Sequence, residues 1–159
     1  MNILIVDDEA DQRGLLKGFL EKQGYTVTEA ESGFQALARF GAEPFQLVLL
    51  DHRMPKMTGD ELLREIKAIN PLVRTIMITA FGSVDTAVSV MKLGADDFIE
   101  KPVDLKELLD RIRRIEQQVI MTALEKYQGI QTQAAASLGI SERVLRYKMK
   151  KHGIQNPGR

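Results

Sequence analysis

The sequence predicts an α/β protein: a five-stranded parallel sheet held between helices, followed by a small all-α helix-turn-helix. Three observations predict this. Short aliphatic runs alternate with helix-length amphipathic stretches through the larger, N-terminal part of the chain. Three of those runs end in acid or in lysine: Asp7-Asp8-Glu9, Asp51 and Glu100-Lys101. The remainder abandons the alternation for short helical segments separated by glycine.

Strands are expected near 2–6, 25–29, 46–50, 74–78 and 97–100. Helices are expected near 10–23, 33–41, 59–69 and 84–93, and a fifth starts near 104. Gly24, Gly41, Gly59 and Gly94 punctuate the turns. Crossovers of this length suit right-handed parallel connections.

The fifth helix has no obvious end. From Asp104 to Tyr127 there is neither Pro nor Gly, and Leu105, Leu108, Leu109, Ile112, Ile115 and Val119 recur at helical spacing. Gln117-Gln118 is the one polar pause. Two readings stand: a single helix running into the second domain, or two helices with a short break. The division is placed at the pause, giving domains 1–118 and 119–159. Beyond it the pattern is helix to Tyr127, a stop at Gly129, helix from Thr132, a turn at Gly139, helix from Ser141 to Lys151, and a stop at Gly153.

Composition narrows the function. Cysteine is absent, which excludes a disulfide framework and a zinc–cysteine site. No apolar stretch is long enough to span a bilayer. The N-terminus lacks the basic start and long apolar run of a signal peptide. A cytoplasmic protein without membrane association is the expectation. The net charge of zero conceals a split: residues 121–159 carry seven Lys/Arg against two acids, and residues 1–120 carry 15 against 20. A basic tail on an acidic body suits nucleic acid, or is simply solvated.

In a parallel α/β sandwich the strand C-termini share one edge, where sites form. That edge would collect Asp7, Asp8, Asp51, Thr79 and Lys101. Clustered carboxylates repel unless a cation is present, and all-oxygen ligands suit Mg²⁺. Carboxylates such as Asp51 can act as nucleophiles that form aspartyl-phosphates, and phosphoryl transfer demands mainly positioning and charge neutralisation.

These residues and their order, with Met54-Pro55, Gly59, Thr79-Ala80 and Lys101-Pro102, resemble the receiver domain of bacterial two-component response regulators over about residues 1–115. Residues 58–101, notably Thr79-Ala80-Phe81-Gly82-Ser83-Val84, look most like receivers of the nitrogen-regulator type. The resemblance implies a flavodoxin-like sandwich with Asp51 as phosphoacceptor for a sensor histidine kinase. It implies Mg²⁺ held by Asp7, Asp8, Asp51 and the Arg53 carbonyl. Lys101 and Thr79 would bind phosphoryl oxygens, and Thr79 with Phe98 would form the switch. It further implies a cis Lys101–Pro102 bond and a role for Arg53 and Phe81 in phosphate lifetime. His52 and His152 do not suit a phosphodonor, because neither sits in a helical-bundle setting. A related phosphatase chemistry is disfavoured because Arg53 stands where it needs a second Asp.

The run Gly129-Ile130-Gln131-Thr132-Gln133-Ala134-Ala135, then Leu138-Gly139-Ile140, Leu145-Arg146 and Lys150-Lys151-His152-Gly153, resembles the Fis-type helix-turn-helix. The small Ala135 and the turn glycine Gly139 suit crossing helices. Leu145 and Met149 would anchor the second helix. Ser141, Arg143, Arg146, Tyr147, Lys150 and Lys151 would face DNA. Glu142 departs from a purely basic face and puts base preference in question. The resemblance implies a homodimer, with Val119, Ile120, Ala123 and Leu124 as its seam.

Nitrogen-regulator-type proteins carry an ATPase between these two units, yet no G-x-x-x-x-G-K-[ST] loop occurs here. A natural two-domain regulator and a deletion product both fit. The reading is a phosphorylation-controlled, DNA-binding response regulator rather than a turnover enzyme. The alternative is a phosphorelay or partner-sequestering protein whose tail only dimerises.

Overall fold

A computed structural model describes residues 1–80 and 82–159. Phe81, which the family resemblance connects with phosphate lifetime, lies outside the described residues. The chain divides into two compact units, Met1–Leu109 and Asp110–Arg159.

The first unit alternates β1 (Asn2–Val6), α1 (Ala10–Lys22), β2 (Thr26–Ala30), α2 (Gly33–Ala42), β3 (Leu47–Asp51), α3 (Gly59–Ile69), β4 (Arg74–Thr79), α4 (Val84–Lys92) and β5 (Asp97–Glu100). The strands form one parallel sheet in the order β2-β1-β3-β4-β5. β1 sits between β2 and β3, so the connections run outward from it in both directions and leave a crevice at the carboxyl edge. Ile3, Leu4, Ile5 and Val6 in β1 and all of β3 are buried, the consequence of helices on both sheet faces. β2, at an edge, starts with exposed Thr26.

Register fixes which chemistry meets. Val6 pairs with Leu50, so Asp7 and Asp51 are each one residue beyond a matched pair. Asp51 pairs with Ile78, which brings Thr79 one step further along the same edge. Helix starts are capped as their residue types suggest. Thr58, Ser83 and Ser32 each accept from the backbone N–H three residues on.

Helix α5 (Leu105–Lys126) is a single element. Of the two readings of this stretch, the break at Gln117-Gln118 is therefore not realised. Glutamine is a good helix former, and nothing there interrupts the backbone.

In the second unit, α5 is followed by α6 (Gln131–Ser137) and α7 (Glu142–His152). Gly129, Gly139 and Gly153 adopt positive φ, 80°, 67° and 66°, as the sequence-read stops require. Ile120, Ala123, Leu124, Ala134, Ala135, Leu145 and Met149 form its core, with Tyr127, Leu138, Ile140 and Ile154 packed around them. Of the four residues expected at a dimer seam, Val119 is half-buried and outside this core, and the other three belong to it. Ile120, Ala123 and Leu124 are at most 7% exposed because they pack against α6 and α7 of their own chain. A unit this small has few apolar side chains, and its own core takes these. No helix among the described residues is long and apolar enough to cross a membrane.

Candidate functional site: an acidic pocket at the sheet edge and a basic helix

The ends of β1, β3 and β5 supply the pocket. Asp7, Asp8 and Asp51 present carboxylate oxygens that all lie within 4.8 Å of one another. Asp7 and Asp51 are buried and Asp8 is exposed. Lys101 Nζ lies 3.3 Å from Asp51 Oδ1 and 3.6 Å from Asp7 Oδ2. The Lys101–Pro102 bond is cis. Asp7 is held from two sides: its Oδ1 accepts from Glu9 N–H at 2.8 Å, and its carbonyl accepts from the Arg13 guanidinium at 2.7 Å. Gly59 allows α3 to start against the end of β3. A Cβ there would lie 2.8 Å from His52 Cα and closer still to the Asp51 carbonyl oxygen.

Electrostatics follow from this crowding. Burial, then the charge on Asp7, pushes the Asp51 carboxyl up to about 6, against the pull of Lys101 and the Arg53 N–H. Asp7 is also raised, chiefly by burial. Burial acts to lower Lys101, but Asp7 and Asp51 outweigh it and raise the ammonium above its ordinary value. One ammonium faces three carboxylates, so negative charge is left over. The donors are all oxygens, and the elevated Asp51 is the signature of a site that a hard divalent cation would relieve. The residues present fit Mg²⁺.

Thr79 ends β4 fully buried. Its Oγ1 lies 3.1 Å from His52 Nδ1, and His52 Nε2 lies 3.2 Å from Asp60 Oδ1 in α3. Sequence reasoning weighed His52 only as a phosphodonor and missed this contact; its place one residue past Asp51 was the available signal. Phe98 is half-buried against the core of the first unit. Arg53 is exposed.

On α7, Arg143, Arg146, Tyr147, Lys150 and Lys151 are exposed as the sequence led one to expect, while Leu145 and Met149 face inward. Ser141 is exposed as well, and its hydroxyl accepts from Val144 N–H and caps α7. Arg146 is engaged within the unit, donating to Glu142 four residues before it and to Gln131 Oε1 at 3.0 Å. Sequence reasoning also missed a buried cluster. Glu116, 2% exposed, bonds Lys148 and His152, the latter at 3.0 Å.

An acid pocket at the carboxyl edge of a five-stranded parallel sheet, with a helix-turn-helix further along the chain, is the arrangement of a signalling receiver that carries a regulatory unit. The chain belongs to the response regulator receiver domain family, whose model matches residues 3–113. Residues 111–152 match the Fis family of bacterial regulatory proteins. Together these give a response regulator receiver domain followed by a Fis-family unit. The chain is 42% identical over 114 residues to the transcriptional regulatory protein ZraR of Salmonella typhimurium, covering 72% of this chain and 26% of that one. It is 39% identical over 112 residues to sporulation initiation phosphotransferase F of Bacillus subtilis, covering 70% of this chain and 90% of that one. The receiver domain of NtrX from Brucella abortus superimposes with a TM-score of 0.68 at 38% identity, covering 71% of this chain and 96% of that one. The chain spans about a quarter of the length of the ZraR relatives it matches.

Proposed function

We propose that Asp51 accepts a phosphoryl group from a sensor histidine kinase, and that phosphorylation controls DNA binding by the Fis-type unit. The observation that carries this is the convergence of Asp7, Asp8 and Asp51 within 4.8 Å, with Lys101 3.3 Å from Asp51.

An Asp51 carboxylate oxygen attacks phosphorus as the bond from phosphorus to the donor imidazole breaks. The electron pair of that bond returns to the imidazole, and Asp51 becomes an acyl phosphate. Asp7, Asp8, Asp51 and the Arg53 carbonyl would hold Mg²⁺, which when bound supplies neutralising charge to the phosphoryl oxygens. Lys101 contributes a second, fixed positive charge to a phosphoryl oxygen. Thr79 donates its hydroxyl to another, and Phe98 turns toward the space behind it. The added charge and acceptor oxygens shift the balance between two close-lying states. The chemistry is self-phosphotransfer and loss of the phosphoryl group to water; no substrate is turned over.

Arg143, Arg146, Tyr147, Lys150 and Lys151 line the exposed side of α7, suited to a major groove and its flanking phosphates. Ser141 sets the start of that helix. DNA-binding units of this type read paired half-sites, so the working species is a homodimer. These roles suit a cytoplasmic regulator.

Fluorescence anisotropy tests the reading, with random and AT-rich duplexes at two salt concentrations, with and without beryllofluoride and Mg²⁺. Salt-sensitive binding that responds to beryllofluoride supports it. Absence of binding in every condition favours an interaction relay whose tail serves only to dimerise.

A further inference from the structure

We propose that His52 is a positioning residue that latches Thr79 in the unphosphorylated domain, so that phosphorylation must break a His52–Thr79 hydrogen bond. The inference deepens the phosphoacceptor reading and rests on it.

The backbone of His52 is fixed on two sides. Its N–H donates to Ile78 O at 2.8 Å, and its carbonyl accepts from Gly59 N–H at 2.9 Å. The ring is thereby carried between the end of β4 and the first turn of α3. Nε2 faces Asp60 Oδ1 at 3.2 Å, a close approach out of line for a good hydrogen bond. Even without an aligned hydrogen bond, the negative charge of a carboxylate at that distance favours the tautomer with its hydrogen on Nε2. In the proposed latch Nδ1 is then the acceptor and the Thr79 hydroxyl, 3.1 Å away, the donor.

The same hydroxyl hydrogen is the one a phosphoryl oxygen on Asp51 needs. One hydrogen cannot serve both acceptors, so the His52 bond competes directly with activation. The competition is local and specific: the ring belongs to the residue after the phosphoacceptor, and the hydroxyl to the neighbouring strand. Removing the acceptor while keeping the bulk therefore favours the activated state. Loss of one ordinary neutral hydrogen bond corresponds to a change of about two- to tenfold in an equilibrium constant.

The test is beryllofluoride affinity in Mg²⁺, read by amide NMR shifts on the full chain. His52→Phe and His52→Leu remove the acceptor, and two variants guard against one failing to fold. His52→Asn keeps a polar atom near the position of Nδ1. Each is also made in a Thr79→Val background. The expected result is tighter beryllofluoride binding, about two- to tenfold, in His52→Phe and His52→Leu. His52→Asn returns toward the wild-type affinity, and no His52 substitution changes affinity when Val replaces Thr79. Unchanged or weaker binding in both acceptor-free variants overturns the latch, as does an equal gain with and without the Thr79 hydroxyl. Failure of the wild-type chain to bind beryllofluoride instead overturns the phosphoacceptor reading, so the two failures are distinct.

Discussion

Lys101 places its ammonium 3.3 Å from Asp51 Oδ1, and the same nitrogen lies 3.6 Å from Asp7 Oδ2. It therefore occupies ground that a metal ion would share. In the proposed reaction the lysine would have two opposing effects: it would compete for the carboxylates when no phosphoryl group is present, and bind a phosphoryl oxygen when one is. Lys101→Met should tighten Mg²⁺ binding to the unmodified chain. It should also weaken beryllofluoride binding by roughly 10- to 100-fold, the scale of one hydrogen bond to a charged group. Calorimetric titration with Mg²⁺ alone, then with beryllofluoride, separates the two. Movement of both affinities in one direction would contradict this account.

Asp51 links stability to pH. Its carboxyl is raised from an ordinary 3.8 to about 6, chiefly by burial. A raised carboxyl binds its proton more tightly when folded, so protonation favours the folded state. In metal-free protein its contribution grows as pH falls from about 7 toward 5 and is complete below the unfolded value. Asp51→Asn removes the titrating charge. It should stabilise the metal-free chain at neutral pH by about 1–2 kcal/mol, less than the full shift because the cluster borders solvent at exposed Asp8. Urea denaturation of both proteins across that range should show the difference shrinking as the pH is lowered.

Gly59 is a packing requirement of the site. A Cβ would press on the Asp51 carbonyl and on His52 Cα, which are backbone and cannot yield as a side chain does. Gly59→Ala should cost about 2 kcal/mol or more and disturb beryllofluoride binding. At Gly33 the neighbour is the flexible Met57 side chain, so Gly33→Ala should be milder in urea denaturation.

Glu116 holds the C-terminal half of α7 from within the second unit. Burial opposes its ionisation, but hydrogen bonds and charge from Lys148, with His152, lower its carboxyl below the ordinary 4.5. Its stabilisation is thus present above that value and lost as pH falls through the lowered one. Glu116→Ala removes the buried carboxylate that Lys148 and His152 share. It should destabilise the unit by about 3 kcal/mol, seen as faster hydrogen exchange at α7 amides.

Lys150 and Lys151 are exposed on α7 and engage phosphate in the proposed DNA complex. Replacing either with Ala should weaken binding to all sequences alike and reduce the salt slope by about one. Anisotropy titrations over a salt series measure this; an unchanged slope removes that lysine from the interface.

Much of this protein was determined locally. The alternation of aliphatic runs with amphipathic stretches set the strand and helix positions to within a residue or two, because the 2.0 and 3.6 periodicities are properties of the chain itself. Glycine stops at 129, 139 and 153 were equally legible, since positive φ is written in residue type. So was the acid pocket, because parallel strands must bring Asp7, Asp51 and Lys101 to one edge. What required the tertiary structure was pairing between residues far apart in sequence. His52 is adjacent to Asp51, but its partners Thr79 and Asp60 come from β4 and α3, and only packing reveals that one ring reaches both. Nothing in the local sequence marks Glu116, and only the packing of α7 against α5 shows that it is buried and bonded to Lys148 and His152. Ile120, Ala123 and Leu124 read as a surface for a second chain, and folding used them in the unit's own core. Periodicity tells which face of a helix is apolar; it carries no information about what covers that face.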